Sequence, residues 1–378
     1  MNFLIRHIED ILGHYDASVP MSVYLKNHFK KHPKLGSRDR KAISEGTYLY
    51  FRFAKLLPGS ALPELIYNGL RHSGVKAEFL ERMLLKEDPE LPAKTTDPIP
   101  VPTTGLPAFS EGVTAEEWQK SLYSQPGTFI RARSRAVTEK LKRKGIEFTR
   151  TDEVTPGIPG CVGVQNGTDL EKALEPEDYV VQDWASQASM HHLLGYLDAA
   201  PLRLWDCCAG AGGKSLFLRD YRPDINILAS DIRKSILVNL KERFIRYHLE
   251  LPQIRALDGT DPSAMQKTLG SRTFDFVLCD APCSGSGTWV RTPEQYFYFE
   301  KESLSYFQER QLAIAANTLP FLKEGGRLAY VTCSVFREEN ETVADLLVEK
   351  FGLKLVSRQL INGMRQKADT LFVAVLEK

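Results

Sequence analysis

Two cysteines and an aspartate have the types and spacing to do chemistry. Asp280 and Cys283 lie in FVLCDAPCSGSGTW, and Cys333 follows fifty residues later in YVTCSVFREENE. Each of the two cysteines follows an apolar run and enters polar, flexible sequence, where a thiol can meet a reactant. Cys279, inside FDFVLC, reads instead as core. Taken singly, a small buried cysteine is the commoner role. Taken together, the three side chains match what methylation of cytosine carbon 5 demands. That carbon is a poor nucleophile. A thiolate added to carbon 6 makes the ring enamine-like at carbon 5, which can then attack an activated methyl group. A base must afterwards take the carbon-5 proton so that the thiolate leaves. Such a reaction needs a cysteine of lowered pKa, a group that hydrogen-bonds the N3/N4 edge of the base, and help with product release.

A second constellation supplies a methyl-donor site. DCCAGAGGKS (Asp206 to Ser215) follows an apolar run and opens a helical one. Its Gly-Lys-Ser ending is not a phosphate-binding loop, because Cys208 stands where that motif needs its first glycine. It is not G-x-G-x-x-G either, since Ser215 occupies the third glycine position. What remains is a glycine turn with Asp231 ending the next strand, NILASD, placed for a ribose hydroxyl pair, and Asp258 ending QIRALD, near an adenine. A glycine loop, a ribose acid and a third acid without a phosphate lysine fit S-adenosylmethionine better than a dinucleotide.

The elements that must hold these residues follow from the pattern. From 183 to 378, the apolar runs LRLWDCC, NILAS, FDFVLCD and RLAYVTC alternate with helical stretches, which predicts an α/β, doubly wound, Rossmann-like parallel sheet with ligands at its carboxyl edge. Residues 128–182 read as a small α+β RNA-binding unit: TFIRARSR, CVGVQ and DYVVQD as strands, AVTEKLKRKGI as a helix. Period-2 alternation there sets Arg131, Arg133 and Arg135 on one strand face. Residues 1–86 show apolar residues at three-and-four spacing, a helical domain. Residues 87–127, with six prolines from Pro89 to Pro107, read as a linker.

The formal net charge is +1, but residues 1–86 carry +6, 87–127 carry −5, 128–150 carry +6 and 151–378 carry −6. Two basic blocks, including KNHFKKHPKLGSRDRK, are the footprint of a polyanion, although a solvated helix face produces the same pattern. Six cysteines in a chain of 378 residues without a signal-like N-terminus argue against a disulfide framework, and their spacing argues against a zinc knuckle. No apolar run is long enough for a membrane span. The expectation is therefore a cytoplasmic monomer with no membrane contact and no metal.

QDWASQ, DCCAGAGGKS, DAPCSGSGTWVRTPE, QLAIAANTLPFLKEGG and TCSVFREENE together resemble the RsmB/Nop/Sun RNA (cytosine-5) methyltransferases, over about 128 to 378. The resemblance implies that Cys333 attacks carbon 6, that Cys283 helps release the product, and that Asp280 contacts the cytosine or the cofactor edge. It implies cofactor binding by Cys208, Ala209, Gly210, Ala211, Gly212, Gly213, Lys214, Asp231, Asp258 and Asp280. RNA contacts would come from Arg131, Arg133, Lys214 and Arg291. The substrate would be ribosomal RNA first and transfer RNA second. Residues 1–86 resemble the NusB-type domain of some members. Ala211 and Ser215 replace the family's usual proline and threonine, and Asp369-Thr370-Leu371-Phe372 departs from its Asp-Gly-Phe-Phe. Two rivals remain: a DNA cytosine-5 methyltransferase with Cys283 as nucleophile, which lacks a large recognition insertion here, and a non-catalytic RNA-binding ribosome-assembly factor, which need not retain Cys333, Cys283 and Asp280.

Overall fold

Apolar residues recurring every three to four positions close the first ninety residues into helices around one core. In the computed structural model, which describes residues 3–97, 99, 105–151, 158–198 and 202–378, these are α1 (Phe3–His14), α2 (Met21–Lys31), α3 (Ser37–Phe53), α4 (Leu62–Ser73) and α5 (Glu78–Glu87). Leu4, Ile5, Ile8 and Ile11 of α1 pack with Ile43, Leu49 and Phe51 of α3 and Leu65 and Ile66 of α4.

The chain divides into two units whose boundaries differ from those expected. The helical unit comprises Met1–Leu106, Thr114–Pro126 and Thr288–Lys301, and the second unit holds the rest. Prolines 98, 100 and 102 of the expected linker lie outside the described residues. The remainder of that stretch is structured. α6 (Ala115–Tyr123) is capped by the Thr114 hydroxyl, which accepts from Glu117 N at 3.1 Å. It buries Trp118 and Leu122, apolar payload that a solvated linker would not carry. Trp118 meets Trp289 and Tyr296 at ring separations of 5.8 and 5.7 Å, the latter residue on α12 (Pro293–Tyr298). The buried Arg52 of α3 joins all these segments. Its guanidinium donates to the carbonyls of Leu122, Ser124 and Val290 at 2.8, 2.7 and 2.8 Å.

The second unit holds two sheets. β1 (Thr128–Ala132), β2 (Phe148–Arg150), β3 (Cys161–Val164) and β4 (Tyr179–Val181) form an antiparallel sheet in the order β2-β3-β1-β4, with α7 (Ala136–Arg143) packed on Ile130, Val162 and Val164. β1 stops at Ala132, so Arg133 and Arg135 do not share a strand face with Arg131.

The larger sheet runs β10-β11-β9-β8-β5-β6-β7. Its strands are β5 (Arg203–Asp206), β6 (Asn226–Asp231), β7 (Gln253–Ala256), β8 (Phe274–Asp280), β9 (Leu322–Thr332), β10 (Lys354–Asn362) and β11 (Thr370–Glu377). β7, β6, β5, β8 and β9 are parallel, and β11 and β10 add an antiparallel edge. Alternate residues of β8 enter different cores. Val277 and Cys279 join α11 (Pro262–Leu269), α13 (Ser303–Thr318) and α14 (Glu341–Phe351). Phe276 and Leu278 join α8 (Trp184–Leu194) and α9 (Gly213–Tyr221). Burial on both faces is why these strands read as continuous apolar runs. α10 (Lys234–Arg246) completes the layer beside β6. The strand order reverses between β5 and β8, and a ligand crevice forms at such a point. Among the described residues no helix is long and apolar enough to cross a membrane.

Candidate active site

Parallel pairing brings Cys283 and Cys333 together. Asp280 of β8 is in register with Val331 of β9, and Ala281 N donates to Val331 O at 2.8 Å. The two chains therefore leave the sheet side by side, and the Cys283 and Cys333 sulfurs lie 3.3 Å apart. The hydrogen bond to Cys333, with burial second, pushes the Cys283 thiol well above its ordinary value. Cys283 thus tends to stay protonated beside the Cys333 sulfur, and either sulfur can be the donor of the contact.

A buried carboxylate that sequence reasoning passed over fixes this pair from beneath. Glu339 accepts from Ser284 N at 2.8 Å, Ser284 Oγ at 2.5 Å, Ser334 Oγ at 2.5 Å and Gln311 Nε2 at 3.0 Å. Ser284 and Ser334 are the residues immediately after the two cysteines. Gln311 also donates to Pro282 O at 3.0 Å, and Asn340 Nδ2 donates to Ser334 O at 2.9 Å. The signal was present in two quoted stretches, QLAIAANTLPFLKEGG and TCSVFREENE, but a polar residue's burial is not written in its type. Residues Pro107–Val113, expected as linker, cover the same loop: Ser110 N donates to Val335 O at 2.8 Å, and Arg337 N to Ala108 O at 2.8 Å.

Gly287 closes the loop that carries Cys283. It donates to Cys333 O at 2.9 Å and accepts from Thr370 N at 2.9 Å, so a Cβ there would run into both carbonyls, Thr370 O and Cys333 O. The last strand, whose sequence departs from the family pattern, thereby positions the Cys283 loop through Thr370.

Asp280 ends β8 and accepts from Lys214 Nζ at 2.5 Å. Burial lowers the Lys214 ammonium, but Asp280, Cys333 and Asp206 outweigh it and the net movement is upward, so the lysine is a fixed cation facing the thiol pair. Gly210 and Gly212 adopt φ of 52° and 77°, and a Cβ on Gly212 would meet Leu240, so the turn demands glycine. Cys208, Ala209, Ala211 and Gly213 complete that turn at the carboxyl end of β5. Cys208 also joins Cys207 and Cys279, all three sulfurs within 4.8 Å.

Asp206, at the end of β5, is buried. It accepts the Ser215 hydroxyl at 2.6 Å on Oδ2 and leaves Oδ1 with no partner. Burial, with Asp280 adding to it against the Ser215 bond, pushes its carboxyl up to about 7. Asp231 lies at the end of β6, as expected, but its oxygens accept from Gly210 N, Arg233 N, Arg233 Nε and Arg233 Nη2 at 3.0, 2.9, 3.0 and 3.0 Å. A ribose would have to displace the largely exposed Arg233 side chain. Asp258 sits two residues beyond β7, its Oδ1 accepting from Thr260 N and Oγ1 at 2.9 and 2.7 Å.

The arginines expected at RNA are placed otherwise. Arg131 is 1% exposed and pairs with Asp220 at 2.5 Å and Gln182 at 3.0 Å. Arg133 shares Asp220 at 3.0 Å. Both are spent on holding β1 to α9, because a short strand packed against the large sheet leaves Arg131 no outward face. Arg291 belongs to the helical unit, half-buried. Exposed basic residues of the small sheet lie elsewhere, at Arg135, Lys142, Arg143, Lys144 and Arg150.

Comparison with known proteins sets this geometry among relatives. The family model described as 16S rRNA methyltransferase RsmB/F matches residues 199–374. Ribosomal RNA small subunit methyltransferase B of Proteus mirabilis is 33% identical over 138 residues, 36% of this chain and 32% of that protein. Its counterpart from Yersinia pseudotuberculosis is 34% identical over 139 residues, 37% and 32%. The match thus spans about a third of these curated relatives. Among solved structures, PH0851 matches 99% of this chain and 97% of its own at a TM-score of 0.71 and 19% identity. NSun6 from Pyrococcus horikoshii, solved with SFG, matches 70% and 94% at 0.59 and 18%. At those identities the two structures share the fold.

Proposed function

We propose that this chain, whose residues 199–374 match the RsmB/F methyltransferase model, belongs to the RsmB/Nop/Sun family and methylates carbon 5 of a cytosine in RNA. Ribosomal RNA is the first substrate and transfer RNA the second. The observation that carries the reading is the 3.3 Å approach of two thiols at the ends of neighbouring strands, beside the Lys214–Asp280 pair. One thiol would suffice for a structural cysteine or a simple methyl transfer. Two in contact suit addition followed by elimination.

The site residues fit S-adenosylmethionine. Oδ1 of Asp206 is a buried acceptor lacking a donor, the glycine turn admits close backbone approach, Asp231 ends β6 and Asp258 lies two residues past β7. When bound, the cofactor supplies an electrophilic methyl group next to a cationic sulfur. The chain's own residues do the rest. Cys333, in the thiolate form that addition requires, adds to carbon 6 with the Lys214 ammonium nearby. Asp280 holds the N3/N4 edge of the base. After the methyl group is on carbon 5, a solvent molecule takes the carbon-5 proton as base and the electron pair of the C5–H bond restores the 5,6 double bond. The Cys333–carbon-6 bond breaks with its electrons on sulfur, and the protonated Cys283 stabilises that departing thiolate by hydrogen bonding.

The test is a pair of variants incubated with cofactor and RNA, with covalent adducts resolved on denaturing gels. Cys283→Ala accumulates a protein–RNA adduct and Cys333→Ala forms none. An adduct with Cys333→Ala overturns the nucleophile assignment. Bisulfite mapping of ribosomal and transfer RNA from cells lacking the protein identifies the substrate class.

A further inference from the structure

Far from the thiols in sequence, three histidines of the helical unit converge. His7 lies on α1, His28 on α2, and His32 at the C-cap of α2. One ring nitrogen from each lies within 4.8 Å of the other two. His7 Nδ1 and His28 Nε2 are 3.2 Å apart, and the ring centroids are separated by 5.3, 4.8 and 4.5 Å. His28 and His32 are one helical turn apart, so both rings project to the same side of α2. His28 is buried, while His7 and His32 are half-exposed, leaving an approach for an ion and a water.

We propose that His7, His28 and His32 form a binding site for a divalent zinc ion that ties α1 to the end of α2. Zn–N bonds of about 2.0–2.1 Å in a tetrahedron put ligand nitrogens ~3.4 Å apart, close to the His7–His28 separation. Asp10 supplies the outer partner. Its carboxylate lies 3.7 Å from His28 Nδ1, on the ring edge opposite the nitrogen that meets His7. At 3.7 Å this is an ion-pair approach and not a hydrogen bond; drawn into hydrogen-bond range on metal binding, the carboxylate would hold a proton at Nδ1 and leave the Nε2 lone pair to the ion. Three imidazoles without a thiolate or a first-sphere carboxylate suit zinc rather than magnesium or calcium, which take oxygen ligands. The ion would also anchor the start of the basic stretch Lys26 to Lys41, which contains two of the three ligands. The sequence reading expected no metal. Residue 7 falls outside any knuckle spacing, and only the packing of α1 on α2 brings it in.

A competing site exists in the three sulfurs of Cys207, Cys208 and Cys279, and ligand chemistry separates the two. The full chain is stripped with chelator, then titrated with zinc by calorimetry and with cobalt(II) by absorption. The expected result is one equivalent of zinc and weak visible cobalt bands without thiolate-to-metal charge transfer in the near ultraviolet. His7→Gln and His32→Gln each weaken binding at least tenfold, and Asp10→Asn weakens it about tenfold through the outer sphere. Zinc raises the melting temperature of the unmodified chain and not of the two histidine variants. Circular dichroism checks that these variants are folded, which their partial exposure favours. Absence of binding, binding unchanged by both histidine substitutions, or an intense thiolate charge-transfer band overturns the site.

Discussion

Cys283 and Cys333 meet sulfur to sulfur at 3.3 Å because Asp280 and Val331 are partners in parallel strands and Glu339 clamps the residue after each cysteine. Their proximity is thus a property of the sheet edge and of one buried carboxylate.

Gly287→Ala tests that positioning. The added methyl group must push against the carbonyls of Cys333 and Thr370, which costs about 1–3 kcal/mol of stability as overpacking. Displacing the nucleophile by even 1 Å lowers turnover by roughly 100-fold. Turnover and adduct yield, measured below the variant's own melting temperature, should fall together. Full turnover with lowered stability would mean that the clamp supports the fold and not the chemistry.

Asp206 gives a pH signature. Its carboxyl is raised in the folded chain to about 7 from an ordinary 3.8, so between those values the native state holds more protons than the unfolded one. Stability from this group is therefore present at pH 4, falls as pH rises and is lost above 7. The rise corresponds to at most about 4 kcal/mol. Asp206→Asn should raise the melting temperature at pH 8 and change it least near pH 4. A difference between variant and wild type that does not vary with pH rejects a raised carboxyl.

Arg131 and the exposed arginines should behave oppositely. Arg131→Met breaks a buried pair with Asp220 and costs about 1–3 kcal/mol of stability while leaving the salt dependence of RNA binding unchanged. Arg135→Glu with Arg143→Glu leaves stability alone and makes the slope of log affinity against log salt shallower by about 1–2, from lost phosphate contacts. Filter binding over a salt series with denaturation curves distinguishes them. A shallower slope for Arg131→Met at full stability reverses the assignment.

What was legible in the sequence was whatever depends on neighbours along the chain. The alternation of apolar runs and helices gave the parallel sheet, and strand ends located Asp231, Asp280 and Cys333 at its edge, while the buried Asp206 was passed over. Period-2 reasoning failed at Arg131, Arg133 and Arg135 because β1 is only five residues long and ends before the second arginine. Glu339 escaped because glutamate is ordinarily exposed; four donors converge on it only after β8, β9 and α13 have packed. The prolines concealed α6, whose capping threonine and buried tryptophan were readable but sat in acidic, proline-rich surroundings.

Arg52 carries a consequence for how the chain is made. Its guanidinium reaches Val290, 238 residues onward, and Trp118 stacks near Trp289 from the same late segment. A ribosome releases the first five helices long before it has synthesised residues 288–301. The nascent helical unit must therefore wait, with the Arg52 charge and an aromatic cleft incompletely covered, until the stretch after the Cys283 loop emerges. Completion of the amino-terminal unit thus requires synthesis past the Cys283 loop, and a chain truncated before residue 288 leaves that cleft exposed.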